Sequence, residues 1–250
     1  MRLASLNLLH GRSLVDGRVD VFRVRAAAAS LDADVLGLQE VDRGQPRSHG
    51  LHLTREVAGD AEWRFVPALV GTPGAAWRAA VDTDLDGEEP AYGCGLVSRY
   101  PVRSWHTIRL RPARVRSPVL LPGTRRMMWL PDEPRVGVAA VVDGPLGLMT
   151  VATTHLSFVP GWNAVQLRIL CRELAQLPGP RFLLGDLNLP GGLPTRISGW
   201  RALARVPTYP APEPRVQLDH ALSHNFHGPV REVSTPELAI SDHPALVVEL

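Results

Sequence analysis

The stretch Arg181-Phe182-Leu183-Leu184-Gly185-Asp186-Leu187-Asn188-Leu189 constrains this chain most. Residues 182–184 form a short apolar run bounded by Pro180 and Gly185, the pattern of a strand buried on both faces. A buried strand that ends in Gly-Asp-x-Asn sets a carboxylate and a carboxamide two residues apart. The two-residue period of a strand would send both to one side of its carboxyl end, the edge where open α/β sheets carry their sites. The same spacing also fits an Asx turn, in which Asp and Asn satisfy their own backbone. The stretch alone does not separate these readings.

Polar residues recur at other strand ends. Residues 3–9 read as a strand with Asn7 near its end, residues 18–31 as a helix, and residues 34–38 as a second buried strand that delivers Gln39 and Glu40. A short helix over 51–58, a strand over 63–69, a loop over 71–90 and strands over 92–98 and 101–110 follow. Residues 112–134 contain five prolines and are expected to form a long mobile loop of the kind that walls a site. Strands over 135–142 and 146–153 are joined by Asp143-Gly144-Pro145, a hairpin signal, and the second reaches Thr154-His155. Residues 162–177 have the strongest amphipathic helical pattern. After a Pro-rich loop at 207–214, strands are expected over 216–222, 230–233 and 245–249. No repeat or break in composition divides the chain, so residues 1–250 are expected to form one domain.

A chain of 250 residues with 45% hydrophobic content can bury a full core. No run is long enough to span a membrane, and the first residues are too quickly polar for a secretory leader, which favours a cytoplasmic protein; a monomer is expected. Cys94 and Cys171 form no C-x-x-C pair and suggest neither a disulfide framework nor a zinc site. A net charge of +2 excludes a bulk polycation. Residues 103–126, however, hold seven arginines (Arg103, Arg109, Arg111, Arg114, Arg116, Arg125 and Arg126) and no acid, either a basic rim for a phosphate-bearing substrate or a solvated loop face. Asp82, Asp84 and Asp86 open like a calcium loop, but Gly93 stands where the bidentate Glu belongs, which argues against calcium.

The strand-end inventory is Asn7, Glu40, His155, Asp186, Asn188, Asp219, Asp242 and His243. Rich in oxygen ligands and lacking thiolates, it suits Mg²⁺ or Mn²⁺ better than zinc. The motifs Ser5-Leu6-Asn7, Leu38-Gln39-Glu40-Val41, residues 92–101, Thr154-His155-Leu156, Gly185-Asp186-Leu187-Asn188, Leu218-Asp219-His220 and Ser241-Asp242-His243-Pro244 resemble, in order and over nearly the whole chain, the endonuclease/exonuclease/phosphatase superfamily with the deoxyribonuclease I-like fold.

The resemblance implies an α/β (α+β) four-layer sandwich: two packed mixed sheets flanked by helices, with the site at one end. It also implies Mg²⁺-dependent (or Mn²⁺-dependent) hydrolysis of a phosphodiester or phosphomonoester. Glu40, with Asn7 and Asp242, would hold the metal; Asp186 would activate water; Asn188 and His155 would contact the phosphate; and His243, oriented by Asp219, would donate to it. Arg135 would add a phosphate clamp. Two departures from the family pattern stand out: Cys94 replaces a common Asn, and residues 92–98 offer His155 no carboxylate partner, a role the acids up to Glu89 could take. The substrate is expected to be a nucleic acid or small phosphodiester. The alternatives are a lipid or inositol phosphate, for which residues 119–121 and 127–130 are the only apolar docking candidates, and a catalytically silent scaffold. A silent scaffold would have lost one of Glu40, Asp186, Asn188 or His243, and all are present. A serine hydrolase lacks its G-x-S-x-G elbow.

Overall fold

A computed structural model describes residues 1–120 and 127–250. Leu121, Arg125 and Arg126 of the expected apolar and basic segments lie outside the described residues. One sheet has seven strands in the order β14 (Glu232–Ser234), β15 (Leu246–Glu249), β1 (Arg2–Asn7), β2 (Val35–Arg43), β5 (Ala91–Ser98), β3 (Glu62–Gly71) and β4 (Trp77–Ala79). The other has six, in the order β12 (Arg201–Ala202), β13 (Asp219–His224), β11 (Arg181–Asp186), β10 (Gly147–His155), β9 (Arg135–Gly144) and β6 (Val102–Leu110). Each sheet contains one parallel pair, β1 with β2 and β10 with β11. These pairs are bridged by α1 (Val21–Ser30) and α3 (Trp162–Leu174), the strand-helix-strand connection that a parallel pair requires. Asp20 caps α1 by accepting from the Phe22 and Arg23 N–H groups.

Side-chain parity builds the layers. In β1, Leu3 packs between the sheets while Ala4 and Leu6 pack under the helices. In β11, Phe182 and Leu184 face the other sheet and Leu183 faces α3. The α1 and α2 (Leu53–Ala58) helices cover the first sheet, and α3 with α4 (Leu193–Ser198) covers the second. The order is helix, sheet, sheet, helix, the expected four layers. The sheets approach closely at Gly37, where a Cβ would lie 2.6 Å from Thr153 Oγ1.

Several boundaries differ from the sequence reading. The first strand stops at Asn7 because the chain turns through Leu9 and His10, both at positive φ. The amphipathic pattern over 162–177 outlasts its helix, which stops at Leu174. The expected mobile loop over 112–134 contains a two-stranded ribbon, β7 (Arg116–Leu120) with β8 (Met127–Pro131). A ribbon of two strands has a free edge on each, where the missing N–H of Pro118 or Pro131 can be tolerated. The loop over 71–90 likewise contains β4 and a single 3₁₀ turn.

Candidate active site

The carboxyl ends of β1, β10 and β11 meet between the sheets. Parity carries Asn7 on the Leu3 face of β1, His155 on the Val151 face of β10 and Asp186 on the Leu184 face of β11 into the same layer. Glu40 reaches it by a different route. Leu36 and Leu38 face the helices, so an unbroken strand would aim Glu40 there too. Instead the register with β5 slips between Leu38, opposite Gly95, and Val41, opposite Gly93. The extra residue is a β-bulge, Glu40 takes φ 53°, and Val41 returns to the helix-facing core. The bulge is what turns this carboxylate toward Asn7.

Asn7 Nδ2 donates to Glu40 Oε1 (3.1 Å) and to Asp186 Oδ2 (3.3 Å), and Asn7 Oδ1 accepts from the Leu9 N–H at 3.1 Å. The same Asp186 Oδ2 lies 3.6 Å from His155 Nε2 and 3.9 Å from His243 Nε2. Asp219 Oδ2 sits 2.7 Å from His243 Nδ1, and Asp219 pairs with Asp186 across the β11–β13 ladder. Thr208 Oγ1 accepts the N–H groups of Leu218 and Asp219, and the Tyr209 ring packs 4.8 Å from that of His243. Beneath the site a buried polar layer locks the sheets together: Ser5 Oγ donates to Gln39 Oε1 (3.3 Å), and Gln39 Nε2 to Thr153 Oγ1 (2.7 Å).

The Asx-turn reading of the 181–189 stretch holds, whereas the strand-parity reading holds for Asp186 alone. Asp186 Oδ1 accepts the Asn188 N–H at 3.0 Å in an Asx turn while Oδ2 faces the site. The two-residue parity does not extend to Asn188, because β11 ends at Asp186 and Asn188 takes φ 49°. One Asn188 amide hydrogen goes to the Leu156 carbonyl at 2.9 Å, and the Asn188 carbonyl is held by Asn163 Nδ2 at 2.7 Å.

The electrostatics separate the titrating groups. Burial raises the Asp186 pKa and the Asp219 charge adds to the rise, against the opposing charge of His243. Burial opposes protonation of His243, but the charge and hydrogen bond of Asp219, with Asp186 and Asp242, outweigh it and hold the ring cationic. His155 is pushed the other way by burial and by the charges of Arg135 and His243, so it is neutral. Desolvation raises Glu40 despite the Asn7 hydrogen bond, and Asp242 adds to the rise. Among the described residues, Asp242 Oδ1, His155 Nδ1, Asp219 Oδ1 and Arg135 Nε are buried without a hydrogen-bond partner. Two neighbouring carboxylates, one with an orphaned oxygen, form a donor set suited to a hard divalent cation. Ligand atoms of Asp186, Asp219 and His243 also lie within 4.8 Å of one another and could hold a metal, although the 2.7 Å His243–Asp219 contact is the length of a hydrogen bond.

Asn7, Glu40, His155, Asp186, Asp219 and His243 are thus joined by direct contacts, whereas Asp242 and Arg135 act on them through charge. The acids before residue 90 do not serve His155: Asp82, Asp84, Asp86 and Glu89 pair with Arg109, Arg78, Arg64 and Arg78. These pairs also account for the calcium-like run. Burial pushes the Cys94 thiol up to about 12, so it is a packing residue. Of the expected basic rim, Arg103 pairs with Asp143 and Arg109 with Asp82, while Arg111 and Arg114 line a cavity of about 640 Å³ with Trp162. Sequence reasoning missed Thr208, Tyr209 and Asn163, which lie in or beside loops and show no periodic signal.

A face-to-face pair of mixed sheets thus gathers carboxylates, carboxamides and imidazoles at one end. The profile of the Endonuclease/Exonuclease/phosphatase family matches residues 4–243, and the chain belongs to that family. Its members are phosphoric ester hydrolases and generally depend on a divalent metal. No curated protein sequence matches. Among solved structures, an endonuclease/exonuclease/phosphatase from Beutenbergia cavernae DSM 12333 superposes with a TM-score of 0.68 at 23% identity, covering 99% of this chain and 70% of its own. The mannosyl-6-phosphatase Bt3783 of Bacteroides thetaiotaomicron VPI-5482 gives 0.64 at 16%, covering 100% and 98%. D. rerio TDP2 in complex with a single-strand DNA product gives 0.61 at 15%, covering 99% and 97%. At these identities the likeness establishes the fold.

Proposed function

We propose that the chain is a Mg²⁺- or Mn²⁺-dependent phosphoric ester hydrolase, one catalytic unit over its whole length, in which Asp186 activates the attacking water. The observation that carries this reading is Asp186 Oδ2, a single buried carboxylate oxygen reached by the Asn7 amide and by the Nε2 atoms of His155 and His243. Its raised pKa makes it a stronger base than an ordinary carboxylate. Cationic His243, fixed through Nδ1 by Asp219, donates from Nε2 to a phosphoryl oxygen as negative charge gathers there. Asn188 offers its second amide hydrogen to the same group, neutral His155 hydrogen-bonds the phosphate, and buried Arg135 contributes positive charge. Glu40 and Asp242, with Asn7, would hold the divalent ion, which supplies Lewis-acid polarisation of the phosphoryl group.

The substrate on this reading is a phosphodiester or phosphomonoester, a nucleic acid or small phosphodiester first, because Arg111, Arg114 and Trp162 line a cavity whose Trp162 adjoins Asn163, the residue that holds the Asn188 carbonyl. A phospholipid is the second reading, favoured by the exposure of Val115 (58%) just before the ribbon and of Trp129 (60%) in its second strand. The test is hydrolysis of bis-p-nitrophenyl phosphate, p-nitrophenyl phosphate, single-stranded DNA, RNA, inositol phosphates and sphingomyelin vesicles, each with Mg²⁺, Mn²⁺ or chelator. Asp186→Asn is expected to lower kcat by about three orders of magnitude or more with an unchanged melting temperature. Glu40→Gln should weaken Mg²⁺ binding in calorimetry by roughly tenfold. Full activity in Asp186→Asn, or metal-independent turnover, would remove this assignment.

A further inference from the structure

On the metal-ligand side of the site lies a second cavity of about 490 Å³, lined by His10, Arg12, Arg18, Arg47 and His49 among others. Its walls are fixed to the site by short connections. His10 follows the Leu9 N–H that anchors Asn7 Oδ1, and the Arg12 carbonyl accepts the N–H of Ser241 at 2.9 Å, next to Asp242. Arg47 forks onto Asp42, at 2.9 and 2.8 Å, two residues beyond Glu40. A tight loop closed by the Arg12–Val19 bridge and by Ser13 N–H donating to the Arg18 carbonyl (2.9 Å) brings Arg12 and Arg18 to the same rim. His49 Nε2 lies 3.2 Å from the Val19 carbonyl and closes the far wall.

The charge in this cavity is unbalanced. Asp42 is consumed by Arg47, and Asp16, the acid within the loop, is consumed by Arg23 at 2.7 Å. Arg12 and Arg18 are exposed, and among the described residues their guanidinium groups have no acidic partner. Nothing in the hydrolysis of a single phosphate ester uses them. A concave surface with two free guanidinium forks beside a third fits a phosphate more closely than a neutral group, since Arg pairs with phosphate oxygens in a planar, bidentate way.

We infer that this cavity binds a second phosphate of the substrate, so that the enzyme acts on a molecule carrying at least one phosphate besides the one it hydrolyses. The inference rests on the hydrolase reading above and specifies its substrate as a multiply phosphorylated one. The second phosphate could belong to the next link of a polynucleotide or to another position of a small polyol.

The test uses the full chain and the double variant Arg12→Ser/Arg18→Ser, which spares Arg47 because its removal would strand buried Asp42. Tripolyphosphate binding is measured by calorimetry in chelator, independently of turnover. The wild type should bind, and the variant should bind about tenfold or more weakly at an unchanged melting temperature. Absence of binding by the wild type, or equal binding by both, would overturn the inference whatever the outcome for hydrolysis. In turnover, the variant should retain kcat/KM on bis-p-nitrophenyl phosphate within about twofold and raise KM by about tenfold on a multiply phosphorylated substrate. An elevated KM confined to a single-stranded oligonucleotide identifies the polynucleotide source, and one confined to an inositol polyphosphate identifies the polyol. An equal loss on the single-phosphate ester would also overturn it, whereas inactivity of the wild type on every ester with intact tripolyphosphate binding would overturn the hydrolase reading alone.

Discussion

At the scale of single residues, the site is a set of groups whose proton affinities have been driven apart. Asp186 is raised, His155 is neutral and His243 is cationic, with both Nε2 atoms within 3.9 Å of Asp186 Oδ2. Separated affinities of this kind are what the proposed division of acid and base roles requires. The cation on His243 depends on Asp219, whose Oδ2 holds Nδ1 at 2.7 Å. Asp219→Asn keeps the shape and removes the charge. It is expected to lower kcat by about 10–100-fold with KM nearly unchanged, and an NMR titration of His243 should show its pKa falling. A change confined to KM would instead make Asp219 a substrate contact.

At the scale of elements, two irregularities do what regular strands cannot. The bulge in β2 reverses the side to which Glu40 points, and the end of β11 at Asp186 leaves Asn188 free to turn back onto Leu156. Gly185 explains how β11 can place Asp186 beside His155. Its φ is 140°, and a Cβ there would lie 2.0 Å from the Thr154 carbonyl of the neighbouring strand. Gly185→Ala should therefore destabilise the fold by roughly 2–3 kcal/mol, read as a lower denaturation midpoint in urea. It should also reduce turnover per folded molecule, because β10 and β11 must separate next to the two site residues. Alternating apolar positions made most strands readable from sequence. The ribbon at 116–131 was not, since prolines that argue against a central strand are harmless at free edges.

At the scale of the whole molecule, packing one sheet on another with helices outside buries imidazoles as well as carboxylates. His220 is buried with Nε2 2.8 Å from the Leu189 carbonyl, and burial lowers its pKa to about 4 despite that bond and the charge of Asp219. A histidine held neutral in the fold takes up its proton only on unfolding. Its contribution is therefore intact above about pH 6.5 and is lost as pH falls toward about 4, up to roughly 3 kcal/mol. Asp186 and Glu40 shift in the opposite direction and add stability over that window. His220→Asn isolates the effect: urea unfolding between pH 6.5 and 4 should show a net stability slope about 1 kcal/mol per pH unit less acid-sensitive than that of the wild type. Parallel slopes would show that His220 does not carry the loss.

The sequence by itself determined the order of the longer core strands and of helices α1 and α3 and the residue types at their ends, but not β4, the β7–β8 ribbon, α4 or β12, because strand and helix periods and turn residues are local properties that short elements barely express. It also made Asn7, Glu40, His155, Asp186, Asp219 and His243 recognisable as an ordered set, since motif order survives in one dimension. Only the tertiary structure decided that Glu40 turns inward through a bulge, that Asp82, Asp84, Asp86 and Glu89 pair with arginines, and that Thr208 and Tyr209 support the Asp219–His243 pair. The basic cavity lined by His10, Arg12, Arg18, Arg47 and His49 was equally unreadable in sequence, because its walls come from the turn after β1, the loop before α1 and the loop after β2. Each of these facts depends on which partner a side chain meets across the space between elements, and such partners are set by packing over long separations in the chain.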